Sequence, residues 1–378
     1  MTDRVIASKV SQYQKIWEEI CNIESPTAFK AGVDAVGAYI KKWAEEKGFQ
    51  VTTLPQEVSG DPLCITLNPD VDAAPVAMGA HMDTVHPVGT FGTPAVRIEG
   101  NKIYGPGVCD CKGCVVMGMM VLDVLQEIGY RSRPVMLLVD SDEETGSMGS
   151  KKATINWMCQ QAKNAVAFLN IEASAVGKAV LQRKGIARYR ITVHGKKAHS
   201  GACYTGASAV AQAAHMILEL EKFKSPEGLT CNCGVISGGT TPNTVAGECM
   251  FIADFRYGTD EERLTAQAAV EKVTSTAYIP GCTCDWEQMS YRVAMPPVKR
   301  NLELLDRINT ILAEAGLQTL TWTSQQGGSD ANDATAAGIP AIDNLGIWGG
   351  CVHSNDEYAL LDSLTPCAKQ IITIITGL

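Results

Sequence analysis

The hydrophobic residues in the first part of the chain form short continuous runs separated by longer segments. VAMGA (76–80), PVMLLVD (134–140) and AVAFLNI (165–171) have the length of strands, and Gly113 to Ile128 is an apolar stretch of helix length. Continuous apolar runs of this kind indicate parallel strands that helices cover on both faces. The pattern therefore predicts an α/β fold with a mainly parallel sheet.

From about Gln182 the hydrophobic and polar residues alternate instead. GIARYRITVHG (185–195) and MFIADFRYG (250–258) have the period of strands with one solvated face. A helical segment follows each of them, and Thr259, with acidic residues directly after it, is typical of a helix N-cap. This part of the chain is predicted to be an α+β domain with an antiparallel sheet.

The α/β pattern resumes after MPPVKRN (295–301), with two further helices and a short apolar run between them. A chain of 378 residues exceeds the size of a single growing core. We therefore expect one domain formed by 1–178 and 294–378, and a second domain, 179–293, inserted into it.

Charge and composition exclude several classes of partner. The net charge is −9, whereas a nucleic-acid partner requires a basic face. No stretch approaches the roughly 18 uninterrupted apolar residues of a membrane helix, and the polar start lacks the core of a signal peptide. The 14 cysteines have no export signal beside them, so we expect reduced thiols, a cytoplasmic location, and no nucleic-acid or membrane partner.

Candidate metal ligands follow three of the predicted parallel strands, and two more lie in glycine-containing loops. The carboxyl ends of such strands meet at one edge of a sheet, so side chains placed there converge. Each residue alone would be ordinary in a loop. Three adjacent acids, however, repel one another unless cations or hydrogen bonds compensate, and a metal site supplies that compensation. The candidates are His81, Asp83, Asp110, Asp142, Glu143, Glu144, Glu172 and His353.

The motifs around these residues resemble the two-zinc exopeptidase and amidohydrolase family. That family includes glutamate carboxypeptidase, acetylornithine deacetylase, succinyl-diaminopimelate desuccinylase, aminoacylase and peptidase T. The glutamate carboxypeptidase-like subgroup is the most similar, since its pattern also has an arginine at the position of Arg292. The matching segments are GAHMDTV, IYGPGVCDCKGC, DSDEETGSMGS, IEAS, GKKAHSG, TPNTVAGECMFIADFRY, GGSDAN and HSNDEY.

The resemblance implies a zinc-exopeptidase-like catalytic domain with an inserted lid or dimerisation domain. It also implies two Zn²⁺ ions per chain, with Co²⁺ or Mn²⁺ as possible replacements. His81 and Glu172 would bind one ion, Glu144 and His353 the other, and Asp110 both. Three ligand carboxylates and a bridging hydroxide would offset the charge of the two ions.

The resemblance assigns further roles in catalysis and substrate binding. Asp83 would orient His81, and Glu143 would be the general base toward the bridging hydroxide. His199 would support the developing oxyanion and, as in dimeric relatives, reach the site of the opposite subunit. The substrate would be held by Asn243, Arg256, Arg292 and Gly328, with the first three at its carboxylate end.

Three features depart from the family pattern. Cys109, Cys111 and Cys114 surround Asp110, either as compact packing residues or as groups that make the site sensitive to oxidation or thiophilic metals. Ala173 replaces the usual proline after Glu172, and the stretch that follows looks shorter, which leaves a preference for glutamate open.

The expected activity is hydrolysis of an amide bond next to a free carboxylate, in a short peptide or an N-acyl amino acid, by a homodimer. Two alternatives stand beside this carboxypeptidase-like activity. One is N-acyl-amino-acid deacylation in amino-acid metabolism. The other is a non-catalytic binding protein on the same fold, which the presence of Glu143 and all five ligands disfavours.

Overall fold

A computed structural model describes all 378 residues of the chain. The chain divides into two compact units. Unit 1 contains Met1–Gln182, Pro297–Ser324 and Ser329–Leu378, and unit 2 contains Arg183–Pro296 and Gln325–Gly328. None of the helices combines the length and the apolar character needed to span a membrane.

Nine α-helices occur along the chain. They are α1 (Thr2–Cys21), α2 (Lys30–Glu46), α3 (Lys112–Glu127), α4 (Ala153–Gln161), α5 (Ala209–Leu220), α6 (Asp260–Ser275), α7 (Lys299–Glu314), α8 (Asp330–Ala336) and α9 (Leu364–Gly377).

Sixteen strands accompany the helices, and several of them have only two or three residues. They are β1 (Gln50–Thr53), β2 (Leu63–Leu67), β3 (Val76–His81), β4 (Arg97–Glu99), β5 (Lys102–Tyr104), β6 (Val135–Asp140), β7 (Ala167–Asn170), β8 (Lys178–Arg183), β9 (Gly185–His194), β10 (Thr230–Gly238), β11 (Glu248–Tyr257), β12 (Thr283–Arg292), β13 (Thr321–Gln325), β14 (Ala341–Ile342), β15 (Gly349–Gly350) and β16 (Tyr358–Leu360).

The main sheet of unit 1 has the order β1-β2-β6-β3-β7-β14. Strands β6, β3, β7 and β14 are parallel, whereas β1 and β2 join antiparallel at one edge. All residues of β3 and β7 are buried, which explains their continuous apolar sequences. The predicted mainly parallel sheet is confirmed.

Helix α3 lies in the core of unit 1, and its residues from Lys112 to Leu125 are all buried. One of them is a carboxylate, Asp123, which contacts Lys9 Nζ at 2.9 Å, Lys47 Nζ at 2.9 Å and Tyr13 Oη at 2.8 Å. These contacts join α1 and the end of α2 to the central helix. They stabilise this packing, because removal of one partner from a buried ion pair costs about 3–5 kcal/mol.

Unit 2 has a four-stranded antiparallel sheet of order β10-β11-β9-β12. Buried residues alternate along β9 and β11, and α5 and α6 pack on the buried face. Thr259 caps α6, because its hydroxyl accepts a hydrogen bond from the N–H of Glu262. The predicted antiparallel sheet is confirmed. Strands β10 and β12 complete it at the edges, with most residues of β10 and half of those of β12 exposed.

Candidate metal centre

The candidate ligands converge at the carboxyl edge of the parallel strands. The register pairs His81, the last residue of β3, with Asp140, the last residue of β6. Glu144 follows β6 by four residues and Glu172 follows β7 by two. This edge of the sheet therefore presents two carboxylates and an imidazole in adjacent loops, as strand order and direction require.

Asp110 lies between two histidines. Its Oδ1 is 3.1 Å from His81 Nε2, and its Oδ2 is 3.1 Å from His353 Nε2. His353 has a left-handed backbone conformation, with φ of 61°. Residues other than glycine adopt this region uncommonly, and such residues cluster at functional sites.

A glutamate completes the surroundings of each histidine. His81 Nε2 lies 3.5 Å from Glu172 Oε1, and His353 Nε2 lies 3.3 Å from Glu144 Oε2. The structure thus brings together all five residues predicted as metal ligands. These five residues form two groups, one around His81 and one around His353, with Asp110 between them.

Asp83 contacts the second nitrogen of the His81 ring, Nδ1. His81 Nδ1 lies 3.0 Å from the backbone oxygen of Asp83 and 3.2 Å from its Oδ1. These acceptors favour a proton on Nδ1, which directs the lone pair of Nε2 toward the cluster. The Asp83 carboxylate also accepts hydrogen bonds from the backbone N–H groups of Glu143 and Glu144, at 3.2 Å each, and from the Thr27 hydroxyl at 2.7 Å.

The pKa values of the ionisable groups in this cluster differ from their ordinary values. Burial raises the pKa of Glu172 to about 8 and that of Glu144 to about 7. Hydrogen bonds to Asp110 and Glu144 raise the pKa of His353 to about 10. Burial acts to raise the pKa of Asp110, but the two histidines outweigh it and lower that pKa.

The donor chemistry of the cluster fits divalent metal ions. Ligand atoms of His81, Asp110 and Glu144 all lie within 4.8 Å of one another. Glu144 Oε1 is buried and has no hydrogen-bond partner, an arrangement that costs free energy unless a cation or donor binds it. Imidazole nitrogens and carboxylate oxygens are ligands that zinc and similar ions accept in proteins.

Glu357 is a buried residue that the sequence analysis did not single out. Its Oε1 accepts hydrogen bonds from the backbone N–H groups of Cys109 at 2.9 Å and Asp110 at 3.0 Å. Its Oε2 accepts one from Gly107 at 3.3 Å and lies 2.7 Å from His86 Nε2. A single carboxylate therefore holds the loop that carries Asp110.

Gly107 allows this loop to approach closely. Its φ is 74°, and a Cβ atom there would lie 2.7 Å from Lys112 Cε and 2.8 Å from Thr84 Cγ2. The signal that would have identified Glu357 is its place in HSNDEY, four residues after His353. His86 and Thr27 carry no comparable sequence signal.

Unit 2 contains the other predicted site residues. His199 is exposed, and its Nδ1 accepts a hydrogen bond from the N–H of Gly201 at 3.1 Å. Because Nδ1 accepts this hydrogen bond, the neutral form of His199 carries its proton on Nε2. Asn243 lies beside His199, since its backbone oxygen accepts a hydrogen bond from the N–H of Ser200 at 2.9 Å.

Arg256 and Arg292 form a second group in unit 2. Both are aligned with Ile186 of β9, from strands on either side of it. The Arg256 Nε atom donates to Asp254 Oδ1 at 2.8 Å. Arg292 is buried against Gly328, where an added Cβ atom would lie 2.5 Å from Arg292 Cδ.

We predict that Glu357→Gln weakens metal binding. An amide keeps one acceptor oxygen but places N–H groups opposite backbone donors, so Asp110 loses its fixed position. Loss of such a supporting contact lowers metal affinity by about 10–100-fold. Competition with a chelator measures the effect, and Asp356→Asn, at an exposed neighbouring position, is the control. Equal metal affinity in both variants would contradict the role of Glu357.

Comparisons with known proteins agree with this geometry. A model of peptidase family M20/M25/M40 matches residues 77–376. Carboxypeptidase G2 from Pseudomonas sp. (strain RS-16) is 28% identical over 358 residues, which covers 93% of this chain and 85% of that protein. Acetylornithine deacetylase from Myxococcus xanthus is 28% identical over 202 residues, or 48% of this chain and 50% of that protein.

Solved structures share the fold along the whole chain. A tripeptidase from Staphylococcus aureus superposes with a TM-score of 0.81 at 23% identity, covering 97% of each chain. Aminopeptidase PepT from Bacillus cereus gives a TM-score of 0.78 at 21% identity, covering 97% of this chain and 98% of the other. The resemblance identified from the sequence motifs is confirmed: the chain belongs to peptidase family M20/M25/M40 and is a metal-dependent enzyme of the peptidase and amidohydrolase class.

Proposed function

We propose that this chain is a two-zinc hydrolase that cleaves a peptide or N-acyl amide bond next to a free carboxylate, as a carboxypeptidase does. The observation that carries the proposal is the position of Asp110, which directs one carboxylate oxygen toward His81 and the other toward His353. A carboxylate in this position is suited to bridge two cations. Cobalt or manganese are alternative ions, because imidazole and carboxylate also bind them.

Glu143 is the proposed general base. Two zinc ions held by the cluster would supply Lewis acidity that makes water nucleophilic near neutral pH. Glu143 is buried at the start of the short 3₁₀ turn Glu143–Thr145, and the bond from its N–H to Asp83 fixes its backbone. In this role Glu143 accepts a proton from the attacking water and returns it to the leaving nitrogen.

The carboxylate of the substrate is assigned to the arginines of unit 2. Arg256, which also donates to Asp254, and Arg292 are aligned with one residue of β9. A guanidinium group can donate two parallel hydrogen bonds to a carboxylate. Asn243 and Gly328 are assigned to the same substrate. The name of the Pseudomonas relative, a carboxypeptidase, supports this choice of bond.

N-acyl-amino-acid deacylation is the second candidate, and the match to acetylornithine deacetylase favours it. Both activities release an amino acid or a shortened peptide with a free carboxylate. A mass-spectrometric screen of N-acyl amino acids and dipeptides with metal-loaded enzyme separates them. If the enzyme cleaves dipeptides but no N-acyl amino acid, the result supports the carboxypeptidase activity and excludes the deacylase activity.

The proposal assigns catalysis to unit 1 and a lid or dimerisation role to unit 2. The Nε2–H of His199 is a suitable donor toward negative charge that develops on the substrate. We assign it to the site of the opposite subunit in a homodimer. A cytoplasmic location belongs to the same proposal, since all 14 cysteines are free thiols.

The first test concerns metal binding. Asp110→Ala should lose both ions together, because the shared ligand is gone, whereas His353→Ala should mainly lose one. Metal analysis of the purified variants measures the number of ions per chain. Retention of both ions by the Asp110 variant would contradict the bridging role.

The second test separates metal binding from catalysis at adjacent residues. Glu143→Gln should keep both ions while kcat falls by about 10²-fold or more, the usual loss for a general acid–base. Glu144→Gln is the matched control, and it should lose metal instead. A nearly normal kcat for Glu143→Gln, with both ions bound, would place the base elsewhere.

The third test asks whether His199 acts across a dimer. His199→Ala and Glu143→Gln subunits, each inactive alone, are mixed and allowed to exchange. A mixed dimer then has one site with both changes and one with neither, so activity should recover to about a quarter of wild type. If mass spectrometry detects mixed dimers and no activity returns, His199 serves only its own chain.

A further inference from the structure

Cys111 follows Asp110 and is fully buried. Its Sγ atom forms a group with His81 and Glu172, in which the ligand atoms all lie within 4.8 Å of one another. Donors on one tetrahedral zinc ion lie roughly 3.5 Å apart, given bonds of about 2.0–2.3 Å. The separations within the group therefore exceed that spacing by at most about 1.3 Å.

Cys111 Sγ also donates to the backbone oxygen of Ile171 at 3.9 Å, and the other two cysteines of this loop make contacts of their own. Cys114 Sγ donates to the backbone oxygen of Cys109 at 3.6 Å. Cys109 Sγ packs beside Gly349, where an added Cβ atom would lie 2.5 Å from the sulfur. Neither belongs to a group of potential metal ligands. Both are buried, and Cys114 lies beside the Cys111 thiol, so Cys114→Ser controls for the loss of a neighbouring thiol.

Burial, with Cys114, Glu172 and Asp110 close by, raises the pKa of the Cys111 thiol well above its ordinary value, so a thiolate at this position requires a bound cation. Cys111 is the N-cap of α3, a helix of 16 residues. The partial positive charge at a helix N-terminus stabilises a nearby thiolate. A cation held by His81 and Glu172 would add to this effect, since a coordinating thiol is deprotonated.

We propose that Cys111 is a thiolate ligand of the ion at the His81–Glu172 position. The inference rests on the proposed two-metal function and extends it to metal preference. On binding, the S–H bond breaks, its electron pair forms the metal–sulfur bond, and the proton leaves to solvent. A soft thiolate beside imidazole and carboxylate favours zinc or cadmium over manganese at this position.

Cobalt substitution tests the ligand directly. Metal-free protein is loaded with Co²⁺ to two ions per chain, and its near-ultraviolet spectrum is recorded. Wild type and Cys114→Ser should show a thiolate-to-cobalt charge-transfer band, whereas Cys111→Ser should bind cobalt without the band. Persistence of the band in Cys111→Ser, or its absence from wild type with two bound ions, would overturn the proposal.

Metal preference gives a second measurement that does not depend on activity. The ratio of cadmium to manganese affinity should fall by about 10-fold or more in Cys111→Ser, and should be unchanged in Cys114→Ser. An unchanged ratio in Cys111→Ser would count against the ligand. If Cys111→Ser does not fold, Cys111→Ala is measured in its place.

The result is distinguishable from failure of the proposed function. Wild type that hydrolyses N-acyl amino acids or peptides without the cobalt–thiolate band disproves the ligand alone. Wild type that shows the band but hydrolyses none of these substrates disproves the proposed activity alone. Wild type that binds no cobalt disproves both.

Discussion

The structure depends on the neutralisation of acidic groups that the sheet brings to one edge. Asp83, Asp110, Glu144 and Glu172 all contact one of the two histidines, and Asp83 and Glu172 are buried. Like charges at such distances cannot all stay ionised in a medium of low dielectric constant without compensation. The two histidines compensate part of this charge, and protons on the glutamates or bound cations would neutralise the rest. Fold and chemistry are therefore coupled, because bound cations would stabilise an arrangement that is unfavourable alone.

Two residues outside the predicted ligand set hold the candidate ligands in position. Asp83 orients His81 and holds the backbone of the loop that carries Glu143 and Glu144. Glu357 does the same for the loop that carries Asp110, and it follows His353 in the same short segment. Each buried carboxylate thus connects two segments that are distant in the sequence. Contacts of this kind orient ligands and keep their conformations fixed.

The sequence predicts elements whose pattern is local, and it fails where long-range contacts decide. The buried runs of β3, β6 and β7 and the alternation of β9 and β11 were sufficient for the fold class. The edge strands β10 and β12 and the two-residue β14 have too weak a pattern. The candidate ligands were recognisable because motifs follow strands. The hydrogen-bond partners of Glu357 could not be predicted. They are mainly backbone N–H groups, which nearly every residue type has, so the sequence does not identify them.

The interrupted course of unit 1 has a consequence for synthesis on the ribosome. Most of unit 2 is one continuous segment, Arg183–Pro296, whereas unit 1 needs residues up to the C-terminus. Domains generally fold as units, and those that emerge first fold first. Unit 2 can therefore fold while the N-terminal half of unit 1 still lacks β14, α9 and His353. Until the last few dozen residues emerge, that half exposes apolar surface and an incomplete acidic edge, and exposed apolar surface of this kind promotes aggregation.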